Sequence, residues 1–273
     1  MAWMQEKETT MRALVTGASP GIGGATCLKL ARDALARGRK PQIAACEVRE
    51  TDAVNALAEE LRGMGAEVRV LTGDLSDPEV PARLVADAVQ AFGGLDAAVG
   101  NAGITSPAPL AELELADWDR VMNVNLRGNW LLAKAAHPHL KESGGGFVAV
   151  ASMSGMKPHR GMGAYSMSKS GTIILCEVLA QEWAPDGIRV NCVSPGMIRT
   201  PLTETTYRDN AIASARTELV PMGRIGLPED IANAIAFFLG PDSGYITGQN
   251  LCVDGAFSSA ILSQIPGLPR SGG

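Results

Sequence analysis

The chain has 273 residues, 46% apolar and 19% charged, enough material to bury a core on both faces of a sheet. A net charge of −5 and a pI near 5.3 exclude a basic field for nucleic acid or an anionic membrane surface, which points to small-molecule partners. The opening residues 1–10 are polar and acidic without a secretory apolar run, and no later run approaches the ~20 apolar residues of a membrane helix. Five scattered cysteines at 27, 46, 176, 192 and 252 form no Cys-x-x-Cys pair, so a soluble cytoplasmic protein with reduced, buried thiols is expected.

In chain order, short apolar runs fall at 12–16, 42–46, 67–71, 95–99, 147–151, 188–193 and 250–253. Between them lie longer patterns of helical period at 22–37, 52–63, 79–91, 117–141, 163–183 and 228–240. This alternation predicts right-handed βαβ units: an α/β, Rossmann-type doubly wound sheet of about seven parallel strands between two helical layers. The helix at 228–240 is the best bounded, opening on Pro228-Glu229-Asp230 and stopping at Gly240-Pro241. No repeat or linker divides the chain, so one α/β domain is expected. It would carry an N-terminal extension over 1–10, a substrate-side stretch with short helices over 197–226, and a Ser/Pro/Gly-rich tail over 258–273.

The first predicted strand runs into Thr16-Gly-Ala-Ser-Pro-Gly-Ile-Gly23, and a helical pattern follows. Gly17, Gly21 and Gly23 permit a tight turn and close backbone approach, and Thr16, Ser19, Pro20 and Ile22 complete a loop whose amides can face a pyrophosphate at a helix N-terminus. Further along, Tyr165 and Lys169 stand four residues apart, a spacing that puts both on one face of a helix. A free tyrosine loses its proton near pH ~10, so a general base at neutral pH needs a nearby cation to favour the phenolate. Lys169 is the candidate cation.

The order and spacing of these motifs resemble the short-chain dehydrogenase/reductase family, in its single-domain branch, over roughly residues 11–257. Besides the Thr-Gly-x3-Gly-x-Gly loop and Tyr165-x3-Lys169, the matching pieces are Gly73-Asp74-Leu75, Asn101-Ala102-Gly103, Asn123-Val-Asn125-Leu, Ser152, Arg189 to Gly196, Pro221 to Asp230, and Tyr245 to Gly255. The resemblance implies that Asp74 and Leu75 line an adenine pocket and that Asn101, Ala102 and Gly103 run behind the cofactor. It also implies that Pro195, Gly196, Ile198 and Thr200 meet the nicotinamide, with Thr200 bonding its carboxamide. Where the family usually has a second asparagine, this chain has Gly100, read as a tolerated change.

Cofactor choice turns on Glu47 at the end of the second strand, where an acid accepts from the ribose hydroxyls of NAD and repels the 2′-phosphate of NADP. Pro20 and Val48 occupy positions where NADP users of the family often carry a basic residue, so NAD is expected, with NADP less favoured. Arg37, Arg39, Lys40 and Arg49 leave the second reading open, because they could bend inward toward a 2′-phosphate.

The resemblance also implies the reaction. Tyr165 takes the hydroxyl proton of a secondary alcohol while hydride leaves for the nicotinamide, Ser152 steadies the oxygen, and Lys169 lowers the tyrosine pKa and binds the ribose. Asn125, rather than Asn123, takes the fourth catalytic position and helps hold a water on a proton path. Ser154 and Met197 are substrate-side candidates, Ser154 being equally readable as a loop serine bonded to local backbone. No metal is expected: His137 and His139 have no acids or cysteines in motif spacing, and Trp118, Trp130 and Trp183 read as packing residues.

The resemblance further implies a homotetramer built through 117–141, 163–183 and the last strand. The tail residues Ile261, Leu262, Ile265 and Leu268 are expected either to pack at a subunit boundary or to be disordered. Two alternatives remain beside an NAD-dependent alcohol dehydrogenase: an NADP-dependent carbonyl or 3-oxoacyl reductase, and a catalytically silent cofactor-binding regulatory protein.

Overall fold

The computed structural model of the protein describes residues 9–265; Leu268 and residues 1–8 of the N-terminal extension lie outside that range. Seven strands form one sheet: β1 (Thr10–Thr16), β2 (Lys40–Glu47), β3 (Glu67–Thr72), β4 (Ala97–Gly100), β5 (Gly146–Val150), β6 (Arg189–Pro195) and β7 (Asn250–Val253). Each pairs in parallel with its neighbour in the order β3-β2-β1-β4-β5-β6-β7. This is the Rossmann-type sheet read from the sequence.

Side chains alternate along each strand and feed two cores. Ala13, Val15, Ile43 and Ala45 face one, packed under helices α1 (Ile22–Ala36), α2 (Asp52–Gly63) and, late in the chain, Pro228–Leu239. Leu14, Ala44 and Cys46 face the other, against α3 (Val80–Phe92) and the long helices of the middle of the chain. Helix α2 begins where Thr51 accepts the Val54 N–H, a cap that spends one otherwise unpaired amide. Burial of strands on both faces explains why their sequences read as continuous apolar runs.

The stretch expected as one helix over 117–141 is in fact α4 (Leu115–Met122) and α5 (Gly128–Ser143), joined by a π-helical turn at Asn123–Arg127. The sequence pattern gave no sign of that turn, a single wide turn between two α-helices. After β5 come the short α6 (Met153–Met156) and α7 (Gly163–Trp183); the 197–226 stretch holds α8 (Glu204–Tyr207) and α9 (Asn210–Leu219), and α10 is Pro228–Leu239. Asp209 caps α9 by accepting from the Ala211 and Ile212 amides.

Two expectations are corrected at this level. Arg37, Arg39 and Lys40 lie at the opening end of β2, engaged with Asp242, Asp96 and Glu67 respectively, whereas Glu47 closes that strand, so they cannot reach a 2′-phosphate at the other end of the sheet. An eight-residue strand separates the two ends by roughly 23 Å. Trp130, read as a packing residue, is 44% exposed on α5 with the Lys134 ammonium 5.6 Å from its ring. Four cysteines are buried and Cys252 is partly exposed, all unpaired; Leu262 and Ile265 of the tail are exposed. No described helix is long and apolar enough to cross a membrane.

Candidate active site

The strand order reverses between β1 and β4, so the loops leaving their carboxyl ends diverge and open a crevice. A cleft of about 650 Å³ occupies it, lined by Glu47, Asp74 and Arg120 and also by Leu202, Tyr207 and Arg216. Every site residue read from the sequence lines this cleft except Asn125.

The glycine loop is fixed from behind. Thr16 Oγ1 accepts the amides of Asn101 at 3.1 Å and Ala102 at 3.2 Å, while Asn101 Nδ2 donates to the carbonyls of Thr16 at 3.0 Å and Gly17 at 2.9 Å. The Thr16 and Asn101 side chains are thus spent on joining the ends of β1 and β4. Gly17 has φ +64°, and a methyl group there would meet Ala102 Cα at 3.0 Å; at Gly23 it would meet the Gly17 carbonyl at 2.0 Å. These positions admit only hydrogen, which keeps the backbone open toward the cleft. The fifteen-residue α1 has Gly21 at its N-cap and no side-chain cap, leaving the Ile22 and Gly23 amides for an anionic ligand. The loop therefore fits a nucleotide pyrophosphate.

Glu47 closes β2 with one carboxylate oxygen accepting the Ser19 amide at 2.8 Å and the other the Val48 amide at 3.2 Å. A negative charge is thereby held beside the glycine loop. Asp74 accepts the Ser76 amide at 2.9 Å and pairs with Arg120 at 3.2 Å. The Ser76 N–H, and then Arg120, hold its carboxyl below the usual carboxylate range.

At the other end, α6 and α7 bring Ser152, Tyr165 and Lys169 to one wall. Ser152 caps α6, its hydroxyl accepting the Ser154 amide at 3.1 Å. The Ser154 hydroxyl lies 3.3 Å from His159 Nδ1, and both residues line the cleft. Lys169 Nζ donates to the Val150 carbonyl at 2.7 Å and sits 5.8 Å from the Tyr165 ring centroid. Burial pushes the ammonium down to about 8.

The pKa of the Tyr165 phenol is raised rather than lowered. Burial of the phenol raises its pKa, and the interaction with Ser152 opposes that only in part. The physical reason is that desolvation penalises the phenolate more than a lysine bonded elsewhere compensates it.

Asn125 lies in the π-helical turn, fully buried behind the cleft wall. Its side chain clamps the Ile104 backbone, Oδ1 accepting the amide at 2.8 Å and Nδ2 donating to the carbonyl at 2.9 Å, and Nδ2 also reaches Ser168 Oγ at 3.0 Å. Its carbonyl accepts from Asn129 Nδ2 at 2.6 Å and Thr172 Oγ1 at 3.3 Å. Asn129 was not singled out in the sequence. Its signal was Gly100: a methyl group there would stand 1.9 Å from Asn129 Oδ1, so the missing asparagine on β4 makes room for one on α5. Arg120, Tyr207 and Arg216 were likewise not read as site residues, though all three line the cleft.

The family model described as enoyl-(acyl carrier protein) reductase matches residues 17–258. The chain belongs to the short-chain dehydrogenase/reductase family. It is 35% identical over 246 residues to a 3-oxoacyl-[acyl-carrier-protein] reductase of Thermotoga maritima, covering 89% of this chain and 95% of that protein. It is 38% identical over 250 residues to a glucose 1-dehydrogenase of Gluconobacter oxydans, covering 90% and 91%. Among solved structures, a Beutenbergia cavernae protein described as an NAD(P)-dependent gluconate 5-dehydrogenase, with NADP bound at low occupancy, superposes with a TM-score of 0.82 at 33% identity over 92% of this chain and 98% of that one. The chain is thus a member of an oxidoreductase family that works with a nicotinamide nucleotide.

Proposed function

We propose that this short-chain dehydrogenase/reductase interconverts a small secondary alcohol and its ketone with NAD as cofactor. When bound, the nicotinamide supplies the acceptor or donor of hydride. Tyr165 passes the hydroxyl proton, Ser152 holds the substrate oxygen, and Lys169, charged below about pH 8, draws the tyrosine toward its phenolate. Asn125 acts from behind, fixing Ile104 on the cleft wall and Ser168 on α7.

The observation that carries the NAD reading is Glu47, whose carboxylate is anchored by two amides at the closing end of β2, where a 2′-phosphate would meet like charge. An NADP-dependent reductase is the second reading. It is favoured by the 3-oxoacyl reductase relative and the NADP-bound structural neighbour, and in this chain it rests on the exposed Arg49 beyond β2. Steady-state turnover of a panel of cyclic, aromatic and acyl alcohols with each nucleotide tests both. A kcat/KM at least tenfold higher with NAD⁺ is expected; a preference for NADP⁺ overturns the assignment, and binding without turnover of any alcohol or ketone would leave a regulatory protein. The exposed Trp130 on α5 and Ile174 and Val178 on α7 support a homotetramer built on these helices, which sedimentation would read directly.

A further inference from the structure

The charges along the cleft are unevenly placed. Both carboxylates that line it, Glu47 and Asp74, belong to the nucleotide end and are already bonded there. The rest of the lining has no acid, yet it takes in Arg216 from α9 and His159 from the loop after α6.

Arg216 is half-buried, and no hydrogen bond or ion pair engages it among the described residues. What holds it is the buried Tyr207: the guanidinium carbon lies 5.6 Å from the tyrosine ring centroid. A guanidinium set against a ring face keeps its N–H edges unspent, and those edges match the two oxygens of a carboxylate or phosphate. Other arginines of this chain are paired off in the same region of sequence: Arg199 with Glu204 and Arg224 with Asp230. Leaving one cation without a counter-ion in a partly desolvated cleft costs stability unless a ligand supplies the charge. Met162, Met197 and Leu202 give the same cleft an apolar wall for the carbon chain.

We infer that the substrate is a small hydroxy or oxo compound bearing an oxyanion away from the reacting carbon, and that Arg216 on Tyr207 is the residue that selects it. The inference rests on the dehydrogenase reading above, and its test has an arm independent of turnover. Hydroxy acids of three to six carbons, their methyl esters and phosphate monoesters of matched length are assayed with both nucleotides. Separately, saturated dicarboxylates from malonate to adipate are titrated calorimetrically into the NAD-loaded protein.

The anionic members are expected to exceed their esters in kcat/KM by at least tenfold, and the better of carboxylate and phosphate identifies the source of the charge. In Arg216→Gln, kcat/KM for the anion should fall roughly tenfold to hundredfold further than for its ester, the range that a charge-assisted hydrogen bond supplies. Dicarboxylate binding should weaken to a similar degree. Arg216→Lys, which keeps the charge and loses the fork, should recover part of the preference. The nucleotide dissociation constant, read by fluorescence, should stay within twofold.

Equal turnover of acid and ester by the wild type overturns the inference and leaves the dehydrogenase reading intact. A weakened nucleotide in Arg216→Gln would overturn it by assigning the arginine to the cofactor. Absence of all turnover refutes the dehydrogenase, and the dicarboxylate titration then judges the anion site alone: binding that is lost in Arg216→Gln supports it, and no binding overturns it.

Discussion

At the nucleotide end of the cleft the polar groups that shape it already have protein partners: Glu47 holds two amides, Asp74 holds Ser76 and Arg120, and Thr16 and Asn101 hold each other. At the reaction end the partnering is thinner. Lys169 is buried and Tyr165 largely so, with pKa values displaced against their charged forms, and the Lys169 ammonium is bonded to the Val150 carbonyl while facing the Tyr165 ring. The first arrangement recognises a constant ligand with a prebuilt surface. The second keeps groups away from the protonation state or partner they would choose in water, which is the condition under which a bound substrate changes their energies most.

If that contrast is real, substitutions at the two ends must separate binding from turnover. Tyr165→Phe should have the largest effect, lowering hydride transfer by roughly 10²–10⁴-fold, the usual worth of a general acid–base group. NADH should still bind, as its nicotinamide fluorescence would report. Unchanged turnover would remove Tyr165 as the proton-transfer group.

Lys169→Met probes the same end through stability. The folded ammonium titrates near 8, below its ordinary 10.5, so the folded state disfavours the charge. Below pH 8 folded and unfolded chains are both protonated and the burial cost is present in full, on the order of 3 kcal/mol. From about 8 to 10.5 the unfolded chain binds the extra proton, so wild-type stability rises with pH over that window. The methionine variant should therefore melt higher than wild type at pH 7, with the gap narrowing toward pH 10, while turnover is lost. A melting difference that does not change with pH would show that the charge is not buried at a cost.

At the nucleotide end the expected changes are in binding and choice. Glu47→Ser should weaken NAD about tenfold and raise the NADP to NAD ratio of kcat/KM by roughly ten- to a hundredfold, because it removes both the ribose acceptor and the repelling charge. An unaltered ratio would mean that specificity lies elsewhere.

Much of this molecule was legible because its elements announce themselves locally. Strands buried on both faces read as apolar runs, Gly17 and Gly23 sit where only hydrogen fits, and the Tyr165 to Lys169 spacing is a helical one. What escaped depends on contacts distant in sequence. The π-helical turn at Asn123–Arg127 leaves no compositional trace, the tyrosine's environment is set by burial that only the assembled cleft provides, and Arg216 reads as a surface charge until α9 is seen folded over the cleft. Arg37, Arg39 and Lys40 were close to Glu47 in sequence, yet a strand carries them to the opposite edge of the sheet.

The pair Gly100 and Asn129 gives the mildest test and the one most specific to this chain. Asn129 Nδ2 donates to the Asn125 carbonyl at 2.6 Å, and its Oδ1 occupies the space over Gly100. Gly100→Ala puts a methyl group where that oxygen is, forcing Asn129 off the carbonyl, with an expected loss of about 1–3 kcal/mol in chemical denaturation. Asn129→Ala alone should cost about 1 kcal/mol by leaving the buried Asn125 carbonyl with one bond fewer. If the two residues act through one contact, Gly100→Ala with Asn129→Ala should cost less than the sum, since the methyl then enters vacated space. Strict additivity would break the link and leave Gly100 as an ordinary small residue at a strand end.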